Sequence, residues 1–503
     1  MNRETQRLAA TARSSWDLIV VGGGATGLGV AVQASLLGYQ VLLLEAGDWA
    51  SGTSSRSTKL LHGGVRYLAQ GHLGLVRDAL HERQTVIQNA PALAHPLQFV
   101  LPTYSKWDQA RYRLGLWAYE RLAGDRSLGR SGWMKAALAR QHSPRLAPAG
   151  LQGVVTYWDG QFDDAGLALA LMRTATRQGA VALNYAPVQT LLMRDGRVQG
   201  VRWRDALSGE EHDACAPCVV NAAGGWVDDL RSPDSPRSVT WSRGAHAVVR
   251  AEFWPHAHGM IIPRTRDGRV LFVLPWQGHV VLGTTDTPVE SMEAQPAASQ
   301  QELEFILSEV SRYVQRPPTH ADVTSVWAGV RSLVQVQAAA STPTRNLGRE
   351  HAIWQDPTGL VCVAGGKWTT YRLMAEQVVH VCQQAALLRR DVTWASTQAT
   401  ALDVAQPGDW HSLPGSDRDI LPGMSEAYVR WCVRESAACT VEDVLARRSR
   451  WLLLDARRAQ AVAADVAQVM RDEGVDDPDW QSFMHRAADY LPRSASRENH
   501  QPA

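Results

Sequence analysis

Two short apolar runs open the patterned part of the chain and are typical of buried parallel strands. Residues 18–21 and 41–44 are continuous apolar segments, and this length and composition favour strands that are covered on both faces. Gly22, Gly24 and Gly27 lie between them with the spacing G-x-G-x-x-G. The first glycine permits a tight turn, the second lets backbone approach a pyrophosphate, and the third lets a helix pack on the strand. The pattern predicts a strand–turn–helix–strand unit that binds a dinucleotide.

An acid and a polar loop follow the second apolar run. Glu45 can accept hydrogen bonds from ribose hydroxyls, which leaves NAD and FAD both open as the dinucleotide. Residues 52–68 are rich in Ser, Thr and Gly and carry Lys59, His62 and Arg66. As a loop, this segment offers hydroxyl and backbone N–H groups to an anion or to the edge of an isoalloxazine ring.

Three stretches have the apolar spacing of helices. Residues 71–94 predict a helix that Pro91 ends, and residues 163–179 predict another. Residues 107–122 mix aromatic side chains with arginines. This third stretch has two interpretations: an interfacial helix at a membrane surface, or a helix whose aromatic side packs on its own domain while arginine stems cover apolar surface.

The second half of the chain changes character. Short alternating strands between residues 243 and 286 predict an antiparallel sheet inserted into the parallel one, which we expect to form the substrate side of the site. Residues 219–226 and 360–372 each run from a strand into small residues, where backbone can approach a nucleotide. Residues 406–423 have the prolines and glycines of a linker, and residues 440–443 resemble a capping box ahead of a helical segment.

Composition excludes several classes of protein. The 503 residues suffice for two or three domains, and the net charge of +1 gives no field for nucleic acid. No apolar run approaches the roughly 18 residues that span a bilayer. Residues 1–15 lack an apolar signal core, and we expect a short disordered tail there. Six cysteines are too few for a disulfide scaffold, so Cys215 and Cys218 are expected to be reduced thiols of a cytosolic protein, with no metal site.

Seven segments together carry a more specific signal: residues 22–27, 53–67, 221–226, 282–286, 328–331, 365–372 and 440–450. With these motifs the chain resembles the FAD-dependent, respiratory glycerol-3-phosphate dehydrogenase family over about residues 16–475. The resemblance implies an α/β fold: an FAD-binding Rossmann-like parallel sheet of the glutathione-reductase and amino-acid-oxidase type, an antiparallel β substrate cap and a C-terminal α-helical domain.

The resemblance also implies an activity and a domain plan. The expected reaction is oxidation of sn-glycerol 3-phosphate to dihydroxyacetone phosphate with FAD, and the electrons pass to a quinone at the inner face of the cytoplasmic membrane. The alternatives are an oxidase that uses oxygen and a flavin oxidase of an amino acid. Peripheral contact with lipid and a homodimer are expected, and nucleic acid is not. The expected divisions are a tail at 1–15; an oxidoreductase domain at 16–400, with FAD-binding parts 16–100, 150–235 and 345–385 and a cap at 100–150 and 236–344; a linker at 401–422; a helical domain at 423–490; and a frayed tail at 491–503.

The chemistry requires cations and a proton acceptor. A phosphate monoester carries nearly two negative charges, for which Arg66, Arg331 and Lys367 are the candidate ligands, and His62 or His246 could take the hydroxyl proton. The predicted catalytic residues are thus His62, His246, Arg331 and Lys367, and the predicted substrate ligands are Arg66, Tyr67, Arg331, Lys367 and Thr369. The predicted cofactor contacts are Gly22, Gly24, Ala25, Thr26, Gly27, Glu45, Ser54, Ser55, Lys59, Leu60, His62, Ala223, Gly224, Gly366, Lys367, Thr369 and Thr370.

Overall fold

Two large sheets form the framework of the computed structural model, which describes residues 2–64, 73–335, 351–390 and 395–492. The strands are β1 (Leu18–Val21), β2 (Val41–Leu44), β3 (Leu60–Leu61), β4 (Ala94–Thr103), β5 (Gly132–Lys135), β6 (Gly153–Phe162), β7 (Val181–Leu183), β8 (Val188–Arg194), β9 (Arg197–Arg204), β10 (Glu211–Cys215), β11 (Cys218–Asn221), β12 (Val239–Arg250), β13 (Gly259–Ile262), β14 (Leu271–Trp276), β15 (His279–Gly283), β16 (Thr287–Val289), β17 (Val323–Val334), β18 (His351–Gln355), β19 (Val361–Gly365), β20 (Asp419–Leu421) and β21 (Met424–Ser425).

The helices follow the same chain order. They are α1 (Arg3–Ala12), α2 (Ala25–Leu36), α3 (Leu73–Asn89), α4 (Lys106–Ala123), α5 (Ala136–His142), α6 (Asp164–Arg177), α7 (Gln300–Ser311), α8 (Tyr371–Gln384), α9 (Glu426–Ser436), α10 (Trp451–Leu454), α11 (Ala456–Ala461), α12 (Ala463–Asp472) and α13 (Trp480–Ala488), with a π-helical turn at Asp443–Arg448. Among the described residues, no helix combines the length and apolar character that crossing a bilayer requires.

The first sheet is the predicted parallel one. Its strand order is β18-β19-β11-β1-β2-β7, and β18 is its antiparallel edge strand. Every residue of β1, β2 and β11 is buried, because helices α2, α6 and α8 cover one face and the three-stranded sheet β8–β10 lies towards the other. Continuous apolar runs are therefore required in these strands. The Rossmann-like α/β fold expected from the sequence is confirmed.

The second sheet has ten strands and is mostly antiparallel. Its main order is β16-β12-β15-β14-β13-β4-β6-β3, with β17 on β12 and β5 on β6. The predicted strands between residues 243 and 286 belong to it. However, β6 pairs with β4 along its whole length, so residues 153–162 lie in the sheet of the cap rather than in the FAD-binding part where the sequence placed them. Nearly all residues of β6 are buried, so the strand lacks the alternation of apolar and polar residues that marks a half-exposed strand.

The C-terminal helices pack on the end of β17. The hydroxyl of Ser325 donates to the carbonyl of Leu452 at 2.9 Å, and that of Thr324 donates to the carbonyl of Leu454 at 2.6 Å. The helical character expected for this segment is confirmed. The predicted linker at 401–422 includes β20, and its Asp403 forms an ion pair with Arg173 of α6 at 3.0 Å.

The N-terminal segment differs from the expected disordered tail. Residues 3–12 form α1, whose first turn is capped by the Asn2 side chain. Arg3 is buried and its guanidinium binds the carboxylate of Asp205 at 2.9 Å. This anchor lies about 200 residues away in the chain, so no local pattern could predict it. The predicted tail beyond residue 492 lies outside the described residues.

Candidate active site

A large cavity lies between the parallel sheet and the cap sheet. Its volume is about 2010 Å³, well above the 300–1,000 Å³ of a typical small-ligand pocket. The cavity extends from Glu45 beneath the parallel strands to His246 and Arg331 of the cap sheet. It can therefore hold a large cofactor and a small substrate together.

The glycine turn after β1 forms one wall of this cavity. Gly22 has φ of +107°, and a Cβ there would lie 2.6 Å from the carbonyl oxygen of Ala222. A Cβ on Gly27 would overlap the carbonyl oxygen of Gly22, so the helix could not start where it does. The N–H of Ala25 donates to Ser54 Oγ at 3.0 Å. The turn is thus fixed at the N-terminal end of α2, the end of a helix that favours an anion.

Glu45 lies at the end of β2, next to this turn. Its carboxylate accepts hydrogen bonds from the N–H of Gly23 at 2.6 Å and of Gly47 at 2.8 Å. Burial raises the pKa of Glu45, and the two backbone N–H groups oppose that shift. The carboxylate is therefore held in a fixed orientation on the cavity wall, as a ribose ligand must be.

Arg331 of β17 lies at the opposite end of the cavity. Its Nη2 donates to Thr284 Oγ1 at 3.0 Å, and its Nη1 lies 3.6 Å from Asp286 Oδ1. A Cβ on Gly244 of the neighbouring strand would lie 2.7 Å from the Arg331 guanidinium carbon. Glycine at that position therefore leaves the space that the guanidinium occupies, and the group remains 23% exposed.

His246 of β12 lies beside Arg331 and is buried. Its ring stacks on Trp327 with centroids 4.0 Å apart, and its Nε2 lies 3.0 Å from Thr58 Oγ1. Burial lowers the pKa of His246 well below its ordinary value, and the charges of Arg331 and Lys59 lower it further. The imidazole is therefore neutral at pH 7 and keeps one nitrogen able to accept a proton.

Lys59 does not reach the cavity wall. Its ammonium is buried and binds Asp164 Oδ2 at 2.7 Å and the carbonyl of Ser55 at 2.8 Å. Burial lowers the pKa of Lys59 to about 7, and Arg450 adds to that shift while Asp164 opposes it. Contrary to the sequence expectation of cofactor contact, Lys59 and Ser55 lie behind the wall and brace the loop that forms it.

The C-terminal segment contributes a wall that the sequence did not assign to the site. Arg447 and Glu442 line the cavity, and their side chains form an ion pair at 3.0 Å. Arg447 and Arg448 also bind the carboxylate of Asp48, which follows Glu45 closely in the chain. The signal was present as the arginine-rich motif at 440–450, but nothing local indicates that it faces a segment 400 positions earlier.

The predicted site residues divide into three groups. The cavity wall includes Gly22, Gly24, Ala25, Thr26, Glu45, Ser54, Leu60, His62, Ala223, Gly224, His246, Arg331, Gly366, Lys367 and Thr369. Gly27, Ser55, Lys59 and Thr370 support the wall from behind it. Arg66 and Tyr67 lie outside the described residues.

Comparisons with known proteins decide the family. The model of the family described as FAD dependent oxidoreductase matches residues 17–381, and that of the C-terminal domain of alpha-glycerophosphate oxidase matches residues 397–478. The mitochondrial glycerol-3-phosphate dehydrogenase of Bos taurus is 35% identical over 97% of this chain and 75% of its own length. That of Arabidopsis thaliana is 35% identical over 99% of this chain and 89% of its own. The chain belongs to the FAD-dependent glycerol-3-phosphate dehydrogenases.

Solved structures agree with this membership of the glycerol-3-phosphate dehydrogenase family. The glycerol-3-phosphate dehydrogenase of Bacillus halodurans, solved in complex with FAD, superposes with a TM-score of 0.77 at 26% identity and covers 97% of both chains. The L-alpha-glycerophosphate oxidase of Mycoplasma pneumoniae, also with FAD bound, gives a TM-score of 0.59 at 15% identity over 76% of this chain. The second likeness concerns the fold alone.

The cavity fits the cofactor of this dehydrogenase family. A Cβ on Gly22 would collide with the backbone of Ala222, so only glycine permits this turn, and the half-buried carboxylate of Glu45 lies next to it. At the far end, the N–H of His62 donates to Thr369 Oγ1 at 3.2 Å, so the two loops that close the cavity are joined. FAD is the cofactor that this set of groups accommodates.

Proposed function

We propose that this chain oxidises sn-glycerol 3-phosphate to dihydroxyacetone phosphate. The observation that carries the proposal is the presence of a dinucleotide cradle, a guanidinium and a neutral imidazole in one cavity, at Gly22, Arg331 and His246. A doubly charged substrate needs the cation, and oxidation of its hydroxyl needs the proton acceptor. The substrate named for the relatives supports the same reaction.

The residues around the cradle would hold FAD. When bound, FAD accepts the hydride that leaves the carbon of the alcohol. The backbone at Gly22 and Gly24 would bind the diphosphate, and Glu45 would bind the ribose hydroxyls. Lys367 and Thr369, on the far loop of the same cavity, would hold the other end of the cofactor and place a positive charge beside it.

Arg331 and Lys367 supply the positive charge for the substrate phosphate. Both line the cavity, Arg331 from the cap sheet and Lys367 from the loop that follows the parallel strand β19. Arg331 is oriented by its hydrogen bond to Thr284, and a planar guanidinium can bind two phosphate oxygens at once. This pair orients the substrate so that its secondary hydroxyl faces His246.

His246 is the proton acceptor of this proposal. The Thr58 hydroxyl, which lies 3.0 Å from Nε2, can pass the substrate's hydroxyl proton to the ring. Burial disfavours the imidazolium most in the free protein, and the positive charge of Arg331 adds to that effect. A phosphate dianion bound at Arg331 would offset that charge and raise the proton affinity of His246. His246 is therefore a stronger base with the substrate bound than in the free protein.

Anaerobic reduction of the bound flavin tests the reaction. Purified protein should be yellow, and glycerol 3-phosphate should bleach its visible absorbance without oxygen. Glycine, added in the same assay, should leave the spectrum unchanged because it lacks the phosphate that Arg331 binds. A flavin that glycine bleaches and glycerol 3-phosphate does not would overturn the proposal.

We further propose a quinone as the electron acceptor, in preference to oxygen. Part of the cavity wall is apolar, and helix α4 and strands of the cap sheet contribute to it. The apolar wall residues include Phe99, Leu101, Leu116, Tyr157, Ile261 and Phe272. An apolar quinone ring suits such a lining, whereas oxygen does not require one. Turnover with a soluble quinone should exceed oxygen consumption, and rapid peroxide formation without quinone would favour the oxidase instead.

The outer face of α4 supports peripheral contact with the inner face of the cytoplasmic membrane. Trp107 is 79% exposed and Leu114 67% exposed, and Lys106, Arg113 and Arg121 are exposed on the same helix. Exposed aromatic and cationic side chains together favour an interface with anionic lipid. A homodimer stays a prediction, which sedimentation velocity would measure.

A vesicle assay tests the membrane contact. Trp107→Ser with Leu114→Ser should weaken co-sedimentation with anionic vesicles by about tenfold or more, since about 1.4 kcal/mol of lost apolar insertion gives that factor. Met193→Ser with Leu207→Ser removes side chains of comparable exposure on another face and serves as the control. Equal binding of the two double variants would remove α4 from the contact.

A further inference from the structure

Asp164, at the start of α6, joins three distant parts of the chain. Its buried carboxylate accepts a hydrogen bond from Lys59 Nζ at 2.7 Å and from Ser57 Oγ at 2.7 Å. On its other oxygen it accepts a bond from Arg450 Nη2 at 2.8 Å. Arg450 lies in the C-terminal segment. This segment matches a different family model from the one that covers Asp164.

Both basic residues hold the backbone of one turn. Lys59 Nζ and Arg450 Nη2 each donate to the carbonyl of Ser55 at 2.8 Å. Lys59 and Arg450 have φ of 64° and 67°, a left-handed conformation that side chains with a Cβ rarely adopt. Such conformations persist where surrounding contacts fix them. The turn at residues 55–59 is therefore determined by Asp164 and Arg450 together.

This turn contacts the candidate proton acceptor in two ways. Thr58 Oγ1, between the anchored residues Ser57 and Lys59, lies 3.0 Å from His246 Nε2. The Lys59 ammonium lies 4.8 Å from the centre of the Trp327 ring, which stacks on His246. A displacement of the turn would shift both the hydroxyl and the ring that orient the imidazole.

We propose that Arg450 is a positioning residue for catalysis, through which the C-terminal segment fixes His246 by way of Asp164 and the turn at residues 55–59. This inference rests on the proposed function, because it takes His246 as the group that accepts the substrate proton. Arg450 itself is buried and is absent from the cavity wall described above. Arg450 therefore affects the rate of flavin reduction, whereas Arg331 binds the substrate.

Stopped-flow reduction of the flavin-loaded protein by glycerol 3-phosphate tests the proposal. Arg450→Met should lower the limiting rate of reduction by about 10- to 100-fold, the range for a misplacement of about 1 Å, with the substrate Kd changed by less than about twofold. Arg450→Lys should restore most of the rate, since an ammonium can still bind Asp164. The matched control is Arg173→Met, which breaks the buried pair with Asp403 and should leave the rate unchanged.

The outcomes separate the inference from the reaction it rests on. A wild-type flavin that glycerol 3-phosphate does not reduce would overturn the proposed function. A normal wild type together with a normal reduction rate in Arg450→Met would overturn the positioning role, as would equal losses in Arg450→Met and Arg173→Met. If Arg450→Met does not fold, Ser57→Ala replaces it: this change removes the Ser57 Oγ bond to Asp164 and should lower the rate without raising Kd, whereas an unchanged rate would overturn the role.

Discussion

Substitution of Gly244 by alanine isolates the contribution of Arg331 without removing it. The new Cβ would lie 2.7 Å from the guanidinium carbon and 2.6 Å from Thr284 Oγ1. Carbon normally keeps about 3.5 Å from such atoms, so the guanidinium must retreat by about 1 Å. Both obstructing atoms belong to side-chain ends, and the backbone can stay in place. The loss of folding stability should therefore be about 1 kcal/mol, at the low end of overpacking costs.

Binding of the substrate should suffer far more than stability. A charge-assisted hydrogen bond contributes about 1.5–3 kcal/mol, and about 1.4 kcal/mol corresponds to a factor of ten. One misaligned phosphate contact should therefore raise KM for glycerol 3-phosphate by about 10- to 100-fold. Steady-state kinetics with a soluble quinone measures KM, and thermal unfolding measures stability. Gly408→Ala, where a Cβ meets open space, is the control. A KM within about twofold of wild type would refute the role of Arg331.

Three further predictions test the ends of the cavity and its C-terminal wall. Arg331→Met should raise KM about 100-fold or more while the bound flavin spectrum is unchanged; an unchanged KM would remove Arg331 from the phosphate site. Gly27→Ala should abolish retention of FAD during gel filtration, because its Cβ overlaps the Gly22 carbonyl. Burial alone would raise the pKa of Glu442. The positive charges of Arg447 and Arg486 outweigh this effect and lower the pKa from 4.5 to about 2. The ionised group thus stabilises the fold above pH 4.5, and this contribution is lost as the pH falls through 2. Glu442→Gln should lower the free energy of unfolding by about 3 kcal/mol at pH 7. The difference in Tm between this variant and the wild type should disappear between pH 4.5 and 2. A difference that does not vary with pH would contradict the ion pairs.

The cofactor cradle was predictable because its signals are local. A strand, three glycines, a helix and an acid follow one another within 30 residues, and each has a direct steric or hydrogen-bonding reason. Arg331 was predicted to line the site because its motif at residues 328–331 resembles the family. His246 lies outside the family motifs and was a candidate only because an imidazole can accept a proton near neutral pH. No pairing pattern in the sequence brings those two strands together.

Lys59 shows why the remaining part of the site could not be predicted. A lysine in a loop rich in Ser and Gly suggests a ligand contact, and the sequence cannot show that Asp164 and Arg450 enclose its ammonium. These partners are separated from the loop by about 100 and 400 positions. The same holds for Arg447 at Asp48 and for α1 at Asp205. Long-range ion pairs leave no periodic trace, so they appear only in the folded chain.

The strand order of the parallel sheet sets the time at which this protein can retain its flavin during synthesis. Val21 of β1 pairs with Asn221 of β11, which in turn pairs with Cys362 of β19. A nascent chain that has left the ribosome only as far as the first βαβ unit presents apolar strands with no neighbour on one side, a state prone to misassembly. Loading of the cofactor should accordingly be a late, post-translational event, and chaperone demand should be greatest before the last parallel strand is made.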